Sequence, residues 1–300
     1  MRDHTTGGNL QGLIVAAFGR RFLVECSDAR VRDCVTRGKR NDYACGDRVE
    51  ILVQSESEGV IEKCAPRTTL LYRSDRWKQK LLAANVTQMV MVVAPVPSFD
   101  LGVLDCCLAA AEHAGIRPLI VLNKADLPES AACEAKLALY TGMGYPLLHL
   151  AATQSVAALQ PHLAGHCSVL VGESGMGKST ILNALVPQAA ALTQDVSASL
   201  GTGKHTTSHA RLHHLDAHSS IIDTPGVQAF GVHHLGVDGL AAAFIDFRPW
   251  LTQCHFRDCR HLEEPGCAIS AAHAAGQIDT RRLAAYRALA VQILQQNRKF

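Results

Sequence analysis

The sequence is poor in features that mark membrane, secreted or polycationic proteins. Its 300 residues hold no stretch of about 18 uncharged apolar residues, which excludes a membrane-spanning helix of ordinary length. Residues 1–11 are polar and glycine-rich, unlike a signal peptide. The formal net charge is only +2, so the chain is not a general polycation. We expect a cytoplasmic monomer without a membrane partner.

The cysteines point away from a disulfide framework. In a cytosolic chain, eleven cysteines indicate free thiols or metal ligands, because reducing conditions disfavour disulfides. Eight of them are scattered, and we expect these to be small core or surface residues. Basic residues outnumber acidic ones over residues 1–80. This bias is compatible with a nucleic-acid face, although charge alone favours an ordinary solvated surface.

The first part of the chain carries short apolar runs separated by turn residues. Runs of five residues or fewer, or alternating ones, lie between residues 12 and 63 and predict four or five strands in a small barrel. An oligonucleotide-binding (OB) barrel is the natural candidate for five short strands. Periodicity alone does not separate it from other small barrels.

After residue 67, predicted strands alternate with predicted helices. Continuous apolar runs at 89–94 and 118–122 are typical of strands buried on both faces, and residues 101–114 predict a helix between them. This alternation predicts a doubly wound, largely parallel sheet. Helical patterns at 235–247 and 278–296 flank a cysteine-rich segment.

Residues 172–179 form a complete phosphate-binding loop pattern between a predicted strand and a predicted helix. The glycines allow backbone N–H groups to converge on phosphate oxygens. Lys178 would reach the β and γ phosphates, and the Ser179 hydroxyl would ligate Mg²⁺. The predicted GTP contacts of this segment are Gly172, Glu173, Ser174, Gly175, Met176, Gly177, Lys178, Ser179 and Thr180.

The base is indicated by Asn123-Lys124-Ala125-Asp126, which follows a predicted strand. The Asp126 carboxylate can accept hydrogen bonds from the N1–H and exocyclic amine of guanine, and adenine offers no such pair of donors. Asn123, Lys124 and Asp126 are therefore predicted GTP contacts. Residues 151–153 stand where a serine-alanine loop would support the base, so we expect a backbone contact there.

Two further segments are predicted to face the γ-phosphate. Asp223 ends a predicted strand and can hold Mg²⁺ through water, and the Gly226 N–H can sense the phosphate. The glycine-rich segment before that strand contains Thr206 and Thr207, both predicted GTP contacts. We take Thr206 as the Mg²⁺ ligand, although the spacing does not choose between the two.

A metal site is predicted near the C-terminus. The pattern Cys254-x4-Cys259-x-His261-x5-Cys267 offers three thiolates and one imidazole, which suits a closed, structural Zn²⁺ site.

The guanine-reading turn precedes the phosphate loop, the reverse of the usual order. This order resembles the circularly permuted GTPases, and the barrel and Cys/His cluster make the chain similar to the RsgA/YjeQ family. The resemblance implies an OB-fold RNA-binding barrel (1–66), a permuted GTPase domain (67–234) and a zinc-binding helical domain (235–300). It also implies GTP hydrolysis stimulated by the small (30S) ribosomal subunit, bound through its rRNA, during late maturation.

The water-positioning group is also assigned through the resemblance. Val227 follows Gly226, and valine cannot orient water as the glutamine of Ras-like enzymes does. The resemblance implies that His205 fills this role, whereas His205 as a surface histidine is the alternative. Two other functions stay open: a permuted GTPase acting on another RNA–protein particle, and a GTP-gated RNA-binding module with little turnover.

Overall fold

The computed structural model describes residues 8–38, 42–75, 78–187, 210–224 and 232–297. The strands within these ranges are β1 Asn9–Phe18, β2 Arg21–Cys26, β3 Val31–Thr36, β4 Arg48–Val53, β5 Glu58–Cys64, β6 Leu70–Asp75, β7 Lys78–Ala84, β8 Gln88–Val93, β9 Arg117–Asn123, β10 Leu147–Leu150, β11 Cys167–Val171, β12 Arg211–His214 and β13 Ser220–Asp223. The helices are α1 Leu101–Ala114, α2 Ser130–Gly142, α3 Gln160–Leu163, α4 Lys178–Leu185, α5 Gly236–Ala243, α6 Ala268–Ala274 and α7 Thr280–Asn297.

The first five strands close into a barrel. Their pairing runs β1-β2-β3-β5-β4, and β4 returns to pair with β1. Alternate residues point inward, so that Phe22 and Val24 of β2 are buried with Ile14, Val49 and Ile51. This period of two is what the short alternating runs encode. The predicted N-terminal barrel is confirmed.

The second layer is an α/β sheet of strands β8 to β13, in the spatial order β10-β9-β8-β11-β13-β12. All neighbours are parallel except β12, which runs antiparallel to β13. Every residue of β8 is buried, as expected for a strand covered on both faces. The predicted doubly wound sheet is confirmed.

Two β elements of the structure were not predicted from the sequence. Strand β12 is a short, polar stretch that joins the α/β sheet to β1 of the barrel through the pair Ala16–Arg211. The hairpin of β6 and β7 forms a separate two-stranded sheet. Neither has the long apolar run or clear alternation on which a strand prediction depends.

The C-terminal region packs against the α/β sheet through helices α5 and α7. Helix α5 lies against both α1 and α7. The predicted helix at 235–247 is shorter than expected, since α5 ends at Ala243 and Phe244 takes an extended backbone. Phe244 and Phe247 are buried against the Tyr286 ring, with centroids 5.4 and 5.0 Å away.

Within the described ranges, no helix is long and apolar enough to cross a bilayer.

Candidate nucleotide and metal sites

The predicted nucleotide-binding segments meet at one edge of the α/β sheet. The loop 172–179 follows β11, the turn 123–126 ends β9, residues 151–153 follow β10, and Asp223 ends β13. Because these strands are parallel, their carboxyl ends lie side by side, where open α/β sheets bind ligands. The fold therefore gathers the segments that the sequence scatters.

The phosphate loop passes so close to its neighbours that glycine is required at two positions. At Gly172 (φ +142°) a Cβ atom would lie 2.2 Å from the Val92 carbonyl oxygen of β8. At Gly177 (φ +95°) it would lie 2.2 Å from the Nδ2 atom of Asn123. A side chain at position 172 would collide with the backbone of β8, and one at position 177 would displace the Asn123 amide; the positive φ at both positions also favours glycine.

Lys178 and Asp223 form the charged part of this edge. The Lys178 ammonium donates to the carbonyl oxygens of Gly172 and Glu173, each at 2.7 Å. Burial lowers the pKa of Lys178, and the nearby Asp223 and Glu173 oppose this shift. Burial raises the pKa of the Asp223 carboxyl, and Lys178 opposes it. A cation and a carboxylate thus face the same half-buried space.

Asn123 and Lys124 bind the turn after β9 to the phosphate loop. The buried Asn123 amide donates to the Met176 carbonyl oxygen at 2.9 Å. The Lys124 ammonium donates to the carbonyl oxygens of Gly175 at 2.9 Å and Val96 at 2.6 Å. These side chains hold the turn and the loop in a fixed relation before any ligand is bound.

The loop after β10 completes this edge through its backbone. The Ala152 N–H donates to Asn123 Oδ1 at 3.1 Å, and the Ala125 N–H donates to the Leu150 carbonyl at 3.0 Å. In the structure this loop supports Asn123, and the backbone contact expected with the base itself stays a prediction.

The structure describes some of the remaining predicted contacts and not others. Ser174, Gly175, Ser179, Thr180 and Asp126 are exposed at the site, so their polar groups are open to a ligand. Four of the residues predicted to act near the γ-phosphate lie outside the described residues, namely His205, Thr206, Thr207 and Gly226. Their roles stay predictions.

One side-chain contact was missed by sequence reasoning. Glu173 was predicted only as a GTP contact, and in the structure its carboxylate accepts the Asp100 N–H at 2.6 Å. Asp100 caps α1, and its own carboxylate accepts the Gly102 N–H at 2.7 Å. The helix start at Asp100 is visible in the sequence, whereas its distant partner is not.

The predicted metal ligands converge in the C-terminal region. Potential ligand atoms of Cys254, Cys259, His261 and Cys267 all lie within 4.8 Å of one another. The His261 Nδ1 atom is 3.4 Å from the Cys254 sulfur and 3.6 Å from the Cys267 sulfur. A tetrahedral Zn²⁺ ion would place nitrogen and sulfur ligands roughly 3.6 Å apart. The cluster therefore fits a structural zinc site with Nδ1 of His261 as the nitrogen ligand.

Backbone and carboxylate groups surround the cluster. Glu264 accepts N–H groups from Arg260 at 3.2 Å and Leu262 at 2.8 Å, and its carboxylate lies 3.7 Å from the Cys259 sulfur. The Ala268 N–H points at the Cys254 sulfur at 3.3 Å. Burial raises the pKa of the Cys259 thiol, so the thiolate needs a cation to be stable there.

The sheet, the phosphate loop after β11 and the guanine-type turn that precedes it in the chain define a circularly permuted GTPase with a structural zinc site. The RsgA GTPase family model matches residues 64–233. The chain belongs to the RsgA GTPase family. A GTPase of this type requires Mg²⁺ with its nucleotide.

Several relatives match almost the whole chain. The small ribosomal subunit biogenesis GTPase RsgA of Nitrosomonas europaea is 51% identical over 95% of this chain and 92% of its own. The RsgA protein of Neisseria meningitidis serogroup B is 49% identical over 90% and 88%. A crystal structure of YjeQ from Thermotoga maritima superposes with a TM-score of 0.73 at 28% identity, covering 96% and 99%. YloQ, described as a circularly permuted GTPase, gives 0.69 at 27% identity, covering 99% of both chains.

Proposed function

We propose that this chain hydrolyses GTP to GDP and phosphate during biogenesis of the small ribosomal subunit, to which it binds. The observation that carries the proposal is the hydrogen bond from the Asn123 amide to the Met176 carbonyl oxygen. It holds a guanine-type turn beside a phosphate loop. The relatives with about half of their residues identical bear the name small ribosomal subunit biogenesis GTPase.

Each predicted contact then has a chemical task. Asp126 accepts from guanine, and backbone N–H groups of residues 172–180 surround the phosphates. Lys178 leaves its two carbonyl partners to bind the β and γ phosphates. Ser179, and Asp223 through water, would hold Mg²⁺, with Thr206 as a further ligand. The metal would supply positive charge beside the phosphate oxygens.

Hydrolysis needs a group that orients water, and we assign this task to His205 on sequence grounds. The residue after Gly226 is Val227, which has no polar atom to offer. An imidazole can accept a proton from water or donate a hydrogen bond to it near neutral pH. His205→Ala should keep GTP affinity and lose stimulated turnover, and an unchanged turnover would contradict this role.

We further propose that the protein works as a cytoplasmic monomer with three domains, at 1–66, 67–234 and 235–300. The barrel and the zinc-binding region flank the nucleotide-binding part on both sides in the sequence, so each is available to contact rRNA. The pairing of β12 with β1 at Ala16 and Arg211 supports a fixed position of the barrel.

Turnover of GTP with and without purified small subunits tests the proposal. Strong stimulation by small subunits, lost in Lys178→Ala, supports it. Stimulation only by another RNA or RNA–protein particle favours a different target. Tight GTP-dependent RNA binding without turnover favours a binding module and contradicts the hydrolase assignment.

A further inference from the structure

Helix α1 is attached at its first turn to the phosphate loop. Glu173 holds the Asp100 N–H through its side chain, while its carbonyl oxygen holds Lys178. The Lys178 ammonium has three donors, so binding both phosphates requires it to release at least one of its two loop carbonyls, Gly172 or Glu173. Nucleotide binding therefore changes the contacts of the loop segment that anchors α1.

The buried face of the same helix is attached to α7 by charged groups. Asp105 is fully buried and accepts from Arg281 at 2.7 Å, from Arg282 at 2.6 Å and from the Tyr140 hydroxyl at 2.9 Å. The Tyr140 hydroxyl in turn accepts from Arg281 at 2.5 Å. One carboxylate thus joins α1, α2 and α7.

The positive and negative charges of this cluster balance, and its stability depends on how α1 and α7 are placed. Arg282 also donates to Asp246 at 2.8 Å, and its guanidinium lies 4.1 Å from the centre of the Phe244 ring. Two arginines and two aspartates cancel in charge. Buried ion pairs are stable only in well-matched geometry, so a shift of α7 relative to α1 is costly unless both helices move together.

Helix α7 continues to the metal cluster. Tyr286 lies one turn after Arg282, on the same face of the helix. Its hydroxyl donates to the Arg260 carbonyl at 2.8 Å, and its ring centre is 6.1 Å from that of the metal-ligand candidate His261. A chain of direct contacts thus runs from the cysteine loop through α7 and α1 to Glu173.

We propose that Asp105 is a positioning residue for hydrolysis. It makes α1 a strut between the zinc-binding loop and the phosphate loop, so that docking of the small subunit on the C-terminal region adjusts the phosphate loop. The inference rests on the proposed function, because it supplies a physical route for stimulation.

A pair of Tyr→Phe variants separates coupling from packing. Tyr140→Phe removes the hydroxyl between Asp105 and Arg281. Tyr145→Phe is the control, since Tyr145 is also buried and its hydroxyl makes no hydrogen bond within the described chain. We expect Tyr140→Phe to lower subunit-stimulated kcat about fivefold, the lower end of ordinary coupling strengths, with KM for GTP and basal turnover unchanged. Asp105→Asn should lower it further if it folds. Full stimulation in Tyr140→Phe, or an equal loss in Tyr145→Phe, would overturn the proposal.

Hydrogen exchange gives a second readout without ribosomal subunits. In the parent protein, GDP should change the exchange of amides in α7 and in residues 254–267, and Tyr140→Phe should reduce that change. Identical exchange in the nucleotide-free and GDP-bound parent would contradict the strut. Absence of subunit stimulation in the parent would instead contradict the proposed function, so the two failures are distinguishable.

A double-mutant cycle tests the route itself. Glu173→Gln weakens the other end of the strut. If both residues act through α1, the combined effect of Glu173→Gln and Tyr140→Phe on stimulated kcat should be smaller than the product of the single effects. Independent, multiplicative effects would contradict the route.

Discussion

The nucleotide edge and the cysteine cluster are built in opposite ways. The side chains that hold the nucleotide edge reach across the chain: Asn123 and Met176 are 53 residues apart, and Lys124 and Gly175 are 51 apart. In the cluster, His261 lies only 7 residues from Cys254 and 6 from Cys267. The first site is assembled by the sheet, and the second by a short loop.

This difference predicts different dependence on ligands. The nucleotide edge is already fixed by hydrogen bonds between protein groups, so it should keep its form when empty. The cluster brings together three thiols and an imidazole, and a bound cation is the main interaction that would hold these four groups in place. The first three of the following changes act on one region and should affect the other much less, and the fourth acts on the sheet beside the nucleotide edge.

The largest effect is expected from loss of a metal ligand. Cys259→Ser, or removal of zinc by a chelator, should lower the free energy of unfolding of the C-terminal region by several kcal/mol, since structural zinc contributes roughly 10 kcal/mol in small domains. GDP affinity should fall by less than about tenfold, in the range of ordinary coupling. Metal analysis, hydrogen exchange and GDP titration check this. Cys133→Ser, at a buried cysteine outside the cluster, is the control. Protected α6 and α7 amides in a zinc-free protein would refute the expected dependence.

Asn123→Ala should weaken the nucleotide edge by about 2–4 kcal/mol, because it leaves the Met176 carbonyl and the Ala152 N–H without their partner. Urea unfolding of the nucleotide-free protein measures the loss, and zinc content should not change. The exposed Asn183→Ala in α4 serves as control. A stable Asn123→Ala protein with normal GDP affinity would mean that the hydrogen bonds of the Asn123 side chain are dispensable.

Asp126→Asn should change which base is bound. GDP affinity should fall on the order of a hundredfold, because the amide cannot accept both guanine donors. A xanthine nucleotide, with a carbonyl in place of the exocyclic amine, should gain affinity. Competition binding measures both, and Glu129→Gln in the same exposed loop should leave them unchanged. Equal GDP affinity in parent and Asp126→Asn would remove the basis for guanine recognition.

Acid should weaken the sheet through His213 on β12. Burial, aided by Arg211, lowers the pKa of His213 to about 4. Between pH 6.5 and 4 the unfolded chain binds a proton that the folded chain does not, so stability falls as pH falls through this window. The loss should reach about 2 kcal/mol by pH 5. Unfolding of His213→Gln across that range should be less pH-dependent than that of the parent, whereas the half-exposed His214→Gln should follow the parent. If His213→Gln and the parent lost stability in parallel as the pH falls, His213 would not be the source of the pH dependence.

The sequence predicted the side chains that meet in the cysteine cluster more completely than those that meet at the nucleotide edge. For the cluster, residue types and spacing within one loop predicted a set of four ligands that converges in the structure, although not the support from Glu264. For the nucleotide edge, the motifs predicted which segments take part, and α1 was placed with the limits that the structure shows. The contacts that join them, such as Lys124 with Val96, carry no sequence signal because their partners are backbone carbonyls.

By itself the amino-acid sequence determined most of the helices and strands, the reversed motif order and the ligand set of the cluster, since each depends on residues close in the chain. Only the tertiary structure decided which distant groups meet: β12 against the barrel, Asn123 against the phosphate loop, and Asp105 against Arg281 and Arg282. Side-chain pairs of this kind depend on how helices and strands pack, and packing is settled by the whole core rather than by any local pattern.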